Sequence, residues 1–205
     1  MIVERLEVGP FGANCYLVAC PTTREAVMID PGGDGPDIIS LCRELGLKIN
    51  YIINTHGHMD HVGANKEVKE AFNVSIIAHQ ADFPLYRSQG SGLALLMGKV
   101  EVAPPDKSIK EGDVLQVGSL QVETMETPGH TQGSITLKIG GALFAGDTLF
   151  AGSIGRTDLP GGSFKQIIQS IKKKILAHDD DTSVFTGHGP PTNVGRERRF
   201  NPFLN

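Results

Sequence analysis

Four side chains able to bind a metal fall within six residues, in His56-Gly57-His58-Met59-Asp60-His61. Imidazoles and a carboxylate crowded this closely desolvate or repel one another, whereas a divalent cation turns the same crowding into stabilisation. The chemistry implied is metal binding with activation of water. Spacing divides the cluster. His56 and His58 stand two apart, so in extended backbone they project to one side, with Gly57 easing the turn, and can share one ion. Asp60 and His61 follow a turn, at an expected helix start, and point elsewhere, which makes a second ion their natural partner.

Three more donors occur where a short apolar run ends beside glycine: His130 in Pro128-Gly129-His130-Thr131, Asp147 in Gly146-Asp147-Thr148, and His188 in Gly187-His188-Gly189. Glycine suits positions where backbone turns sharply or approaches closely. Together the seven offer nitrogen and carboxylate oxygen but no thiolate, a set suited to zinc, manganese or iron rather than to a calcium cage.

The elements that must position these donors are short. Apolar, β-branched runs at residues 2–8, 15–19, 26–29, 49–53 and 74–78 read as strands, and so do 114–117, 120–125, 135–139, 142–145 and 183–186. Residues 30–36 form a loop rich in proline and glycine. Ile38, Leu41, Cys42 and Leu45 recur at helical spacing over 37–45, with Gly46 placed to stop the helix. A second helix is expected from near Asp60 through Phe72, and a third over 164–177. Residues 85–105 carry no readable pattern. Strands and helices mixed throughout make this an α/β chain, and two successive blocks of strands capped by helices point to a duplicated architecture.

Composition narrows the function classes. The 205 residues, 40% hydrophobic and 20% charged, suit one compact domain. A net charge of -4 and a pI near 6.0 argue against a protein that grips phosphate backbones, so nucleic acid is not an expected partner. No apolar run reaches membrane-spanning length and no leader pattern opens the chain, so the expectation is a cytoplasmic protein with no membrane partner. Cys15, Cys20 and Cys42 form no CxxC pair and read as buried free thiols.

His56-x-His58-x-Asp60-His61, followed in order by His130, Asp147 and His188, resembles the metallo-β-lactamase superfamily of metal-dependent hydrolases. The resemblance covers essentially the whole chain. Gly155-Arg156-Thr157-Asp158 and the closing Arg198-Arg199-Phe200-Asn201-Pro202-Phe203 are most similar to the hydroxyacylglutathione hydrolase, or glyoxalase II-like, branch. It implies a four-layer αββα sandwich with two divalent ions at its edge, zinc first, with iron or manganese as alternatives. It assigns His56, His58 and His130 to one ion, Asp60, His61 and His188 to the other, and Asp147 to both. Typical glyoxalase II enzymes continue past the last metal histidine into a helical domain that supplies basic residues for glutathione. Only residues 189–205 follow here, so the expected form is a single domain over 1–205 without that extension.

The expected reaction is hydrolysis of a small-molecule thioester, S-lactoylglutathione or a related hydroxyacyl-glutathione. Two ions would lower the pKa of a shared water, leaving hydroxide held by Asp60, the expected catalytic residue, and aimed at the carbonyl. A thiolate leaves readily, so little general acid is needed. Arg156 could meet a carboxylate of the substrate, or equally form a structural ion pair. Asp30 is either a turn residue or a hydrogen-bond partner of a metal ligand. His79 and His178 read as packing or surface histidines and Lys172-Lys173-Lys174 as a solvated face. Rival readings are a single-iron persulfide dioxygenase using the His56, His58, His130 and Asp147 set, a lactonase or other ester hydrolase on the dinuclear site, and a non-catalytic metal binder. Oligomeric state is left open.

Overall fold

The computed structural model describes residues 1–88 and 101–204. Its strands are β1 (Ile2–Val8), β2 (Ala13–Ala19), β3 (Glu25–Ile29), β4 (Lys48–Ile53), β5 (Ser75–His79), β6 (Lys107–Ile109), β7 (Val114–Val117), β8 (Leu120–Glu126), β9 (Ile135–Ile139), β10 (Ala142–Gly146), β11 (Leu149–Phe150), β12 (Ser153–Ile154), β13 (Ser183–Thr186) and β14 (Thr192–Asn193). The helices are α1 (Gly35–Glu44), α2 (Met59–Val62), α3 (Asn65–Phe72), α4 (Phe83–Ser88), α5 (Phe164–Ser170) and α6 (Val194–Phe200). One sheet runs β1-β2-β3-β4-β5-β6, the other β14-β13-β10-β9-β8-β7, and among the described residues β11 and β12 pair only with each other.

Side-chain alternation explains the layering. Successive residues of a strand point to opposite faces, so a strand apolar at every position must be covered on both sides. In β2, Leu17 and Ala19 pack with Met28, Ile52 and Ile76 beneath α1 and α3, whose Ile38, Cys42 and Val68 close that layer. Tyr16 and Val18 point the other way, joining Val27, Ile29 and Ile53 against Val122, Leu137 and Phe144 of the second sheet. Leu143, Ala145 and Val184 leave that sheet on its outer side, where Ile167 of α5 and Val194 of α6 cover them. The result is a four-layer αββα sandwich with one sheet from each half of the chain.

Several elements differ from expectation for visible reasons. The helix expected from Asp60 to Phe72 is two helices, because the loop after β3 presses into the break. The Ala64 amide donates to Pro31 O at 2.9 Å, and a Cβ on Gly63 would lie 2.4 Å from Gly32 O. The helix over 164–177 loosens into a π-helical segment at Ile171–Ile175. β6, β11, β12 and β14 are two or three residues long, too short to show alternation. Of the unreadable stretch, residues 85–88 lie in α4 and 89–100 lie outside the described residues. The three cysteines are buried and free. No helix among the described residues is long and apolar enough to cross a membrane.

Candidate metal centre

All seven expected donors come together at one edge of the sandwich, beyond the carboxyl ends of β4, β8, β10 and β13. β4 ends at Ile53 and the chain turns through buried Asn54 and Thr55 into His56 and His58, while Asp60 and His61 open α2. His130 stands between β8 and β9, Asp147 directly after β10, and His188 directly after β13. Donor atoms of His56, His58 and His130 lie within 4.8 Å of one another, as do those of Asp60, His61 and His188. Asp147 spans the two groups: its Oδ1 is 3.4 Å from His61 Nε2, and its Oδ2 is 3.5 Å from His130 Nε2 and 3.7 Å from His188 Nε2. Close backbone approach makes this possible. A Cβ on Gly187 would sit 2.1 Å from Asp147 Oδ1.

Hydrogen bonds behind the rings decide which nitrogen faces inward. His130 Nδ1 lies 2.8 Å from Arg156 O, an acceptor only, so Nδ1 carries the proton and Nε2 presents a lone pair. His61 Nδ1 donates likewise to Asp30 Oδ2 at 3.0 Å. Thr55 Oγ1 gives its own proton to Asp30 Oδ2 at 2.6 Å and is left to accept from His56 Nδ1 at 3.1 Å. His56 Nε2 and Asp147 Oδ1 are buried without a hydrogen-bond partner among the described residues. Lone pairs converging with so few donors are what cations satisfy, and nitrogen and oxygen donors without thiolate suit a divalent transition metal. Asp30, His56 and His61 also come close enough to count as a donor group. Asp30 is instead committed to Thr55 and His61, and its Oδ1 accepts the Thr55 amide at 2.7 Å. Of its two expected roles the structure supports orienting a donor.

Electrostatics separates the two groups. Burial, followed by the neighbouring imidazoles, pushes His56 well down and His58 down to about 4. Burial opposes protonation of His61 as well, but Asp147, Asp30 and Asp60 outweigh it and push it up to about 10. Its hydrogen bond to Asp60 raises His188 too. Burial works against Asp60, yet His188 and His61 hold it well below the usual carboxylate range, so it remains an ionised acceptor. The protein thus keeps a proton where Asp60, His61 and His188 meet, and an ion bound there must displace it. Between the ordinary 6.5 and about 4, the unfolded chain protonates the position-58 imidazole and the folded chain does not. The metal-free protein is therefore expected to lose stability as pH falls through that window. Thermal unfolding across pH 4 to 7, with His58→Asn showing a shallower decline, checks this; parallel curves for both proteins would overturn it.

Five of the donors, His58, Asp60, His130, Asp147 and His188, floor a cleft of about 660 Å³ walled by Phe11, Met59, Leu85, Phe150, Ile154 and Leu159. Arg156 stands at its rim, where its guanidinium clamps Asp158 in two bonds of 2.8 Å while its carbonyl fixes His130. His79 is structural: its Nε2 meets Glu126 at 3.1 Å and its Nδ1 accepts the Ala81 amide. Sequence reasoning missed how the His188 loop is held. Asn14 Nδ2 donates to Thr186 O and Gly189 O, and Tyr16 Oη to Thr186 O, tying the second sheet's loop to β2. No local pattern announces contacts across 170 residues or more.

An αββα sandwich with paired donor groups at the carboxyl edge defines a metal-centre fold. The comparisons name it: residues 8–188 match the Metallo-beta-lactamase superfamily, and the chain belongs to that superfamily. A Haemophilus influenzae relative named hydroxyacylglutathione hydrolase GloC is 37% identical, covering 100% of this chain and 99% of its own. Among solved structures, the BLEG-1 B3 metallo-beta-lactamase aligns with a TM-score of 0.92 at 32% identity over 100% of both chains. TTHA1623, crystallised in a di-iron-bound form, gives 0.86 at 36%, covering 98% of this chain and 100% of its own.

Proposed function

We propose that this protein is a cytoplasmic, metal-dependent hydrolase of small thioesters, with S-lactoylglutathione or a related hydroxyacyl-glutathione as substrate and two divalent ions, zinc first, as cofactors. The observation that carries the reading is the pair of three-donor groups bridged by the two oxygens of Asp147 and open to an apolar cleft. His56, His58 and His130 would hold one ion, Asp60, His61 and His188 the other. Bound ions would supply Lewis acidity and water ionised at neutral pH. The chain supplies the rest. Asp60, ionised and on the cleft floor, accepts a hydrogen bond from the attacking water and orients it. Phe11, Leu85, Phe150 and Leu159 exclude bulk water from the reacting carbonyl, which strengthens every electrostatic interaction there. Arg156, held in place by Asp158, stands where a carboxylate of the thiol half would reach the rim.

The Haemophilus relative supports the thioester reading, because it carries the hydroxyacylglutathione hydrolase name at nearly the length matched here. The resemblance to a named B3 metallo-beta-lactamase keeps a lactam substrate as the second reading. Elemental analysis with a panel of S-lactoylglutathione, an acyl-homoserine lactone, nitrocefin, a phosphodiester and glutathione persulfide tests both. Two ions per chain and preference for the thioester by kcat/KM are expected. Preference for nitrocefin, or one iron per chain with oxygen uptake on the persulfide, would overturn the proposal.

A further inference from the structure

We propose that Asp82 is a positioning residue for the three-histidine group, setting metal affinity at His56, His58 and His130 while leaving Asp60, His61 and His188 unaffected. Asp82 is 1% exposed and ends a 3-10 turn, Gln80–Asp82, directly after β5. Its carboxylate touches none of the seven donors but grips the backbone on both sides of them. Oδ2 accepts the Gly57 amide at 2.9 Å, between His56 and His58, and the Thr131 hydroxyl at 2.7 Å, beside His130. Oδ1 accepts the Gly133 amide at 2.7 Å in the same His130 loop. The fit is tight: a Cβ on Gly133 would lie 2.6 Å from the carboxyl group.

One buried anion therefore joins two loops from different sheets, and those loops carry all three histidines of one group. Bonds from neutral donors to a charged acceptor are roughly twice as strong as neutral pairs, so this junction resists shear. The other group does not depend on Asp82, since His61 is oriented by Asp30 and the His188 loop by Asn14 and Tyr16. Asp30 also reaches His56 through Thr55, whereas the bonds of the Asp82 carboxylate go only to the two loops of the first group. Glutamine or asparagine cannot replace such an acceptor silently. In Asp82→Asn the shape is retained, but an NH2 must face either the Gly133 amide or the donors from Gly57 and Thr131, and one loop has to move.

This inference rests on the two-ion reading above. Metal-free parent and Asp82→Asn proteins are titrated with zinc against a chromophoric chelator, which gives stoichiometry and both affinities, and with cobalt(II) followed by absorption. Removal of such an orienting partner weakens metal binding by roughly 10- to 100-fold. The expected result is that loss at one site only, with the missing cobalt band matching His58→Ala rather than His188→Ala. Ile139→Ala, at the far end of β9, controls for lost stability and should leave both affinities unchanged. If Asp82→Asn fails to fold, Thr131→Val removes one donor at nearly constant volume and should weaken the same site by less. A folded variant with parent affinities, or with equal weakening at both sites, would overturn the role of Asp82. A parent that binds a single ion counts against the two-ion reading instead, and undiminished binding of that ion by Asp82→Asn would still count against Asp82.

Discussion

Replacing Asp147 with Asn is expected to leave the protein folded, lower its content from two ions per chain towards one, and cut hydrolysis on the order of 10³-fold, the scale of removing a key charge-stabilising group. The asymmetry of the carboxylate motivates this. One oxygen faces His61 of the second group, while the other lies between His130 of the first and His188 of the second, so the carboxylate spans both groups. Asparagine keeps one oxygen and turns the other into a donor, which repels a cation. Metal analysis after dialysis, beside steady-state kinetics on the best substrate of the panel, reads both effects. Two ions retained with full activity would remove Asp147 from its bridging position.

Asp60→Ala is expected to cost roughly 10²- to 10⁴-fold in kcat, the range for losing a positioned proton acceptor. Its Oδ2 lies 3.2 Å from His188 Nε2 and 3.7 Å from His61 Nε2, and a quarter of its side chain faces the cleft. Loss of a ligand and loss of a water-orienting acceptor both follow from alanine. Asp60→Asn separates them, because it retains an oxygen towards His188 while presenting a donor to water. Circular dichroism confirms folding, and metal content measured on the same samples apportions the effect. Hydrolysis at the parent rate by purified Asp60→Ala would refute the proposed mechanism.

His130, Asp147 and His188 were legible in sequence because each follows a short apolar run and sits beside glycine, and the other four because they crowd into six residues, local signatures that need no knowledge of distant contacts. Strands such as Ile135–Ile139 were legible for the same reason: their apolar run is bounded by turn residues. What could not be read was set by long-range contacts. The break between α2 and α3 is imposed by Pro31 and Gly32, which lie about 30 positions earlier in the chain. β11 and β12 are two-residue strands defined by pairing with each other. Nothing local in the sequence marks Asp82, whose place is set by Gly57 and Gly133 converging on it. Arg156 was expected to act, if at all, through its charge; its carbonyl also turns out to fix the tautomer of His130.

Each donor group takes two members from the first half of the chain and one from the second: His56 and His58 with His130, and Asp60 and His61 with His188. Neither half alone completes either of these groups, so tight capture there must wait until the sheets have docked. Ion uptake then becomes a late checkpoint in folding, and a bound ion favours the docked state by mass action. A chain whose sheets have slipped in register would stay unloaded and inert, so water-activating chemistry is confined to molecules that have finished folding.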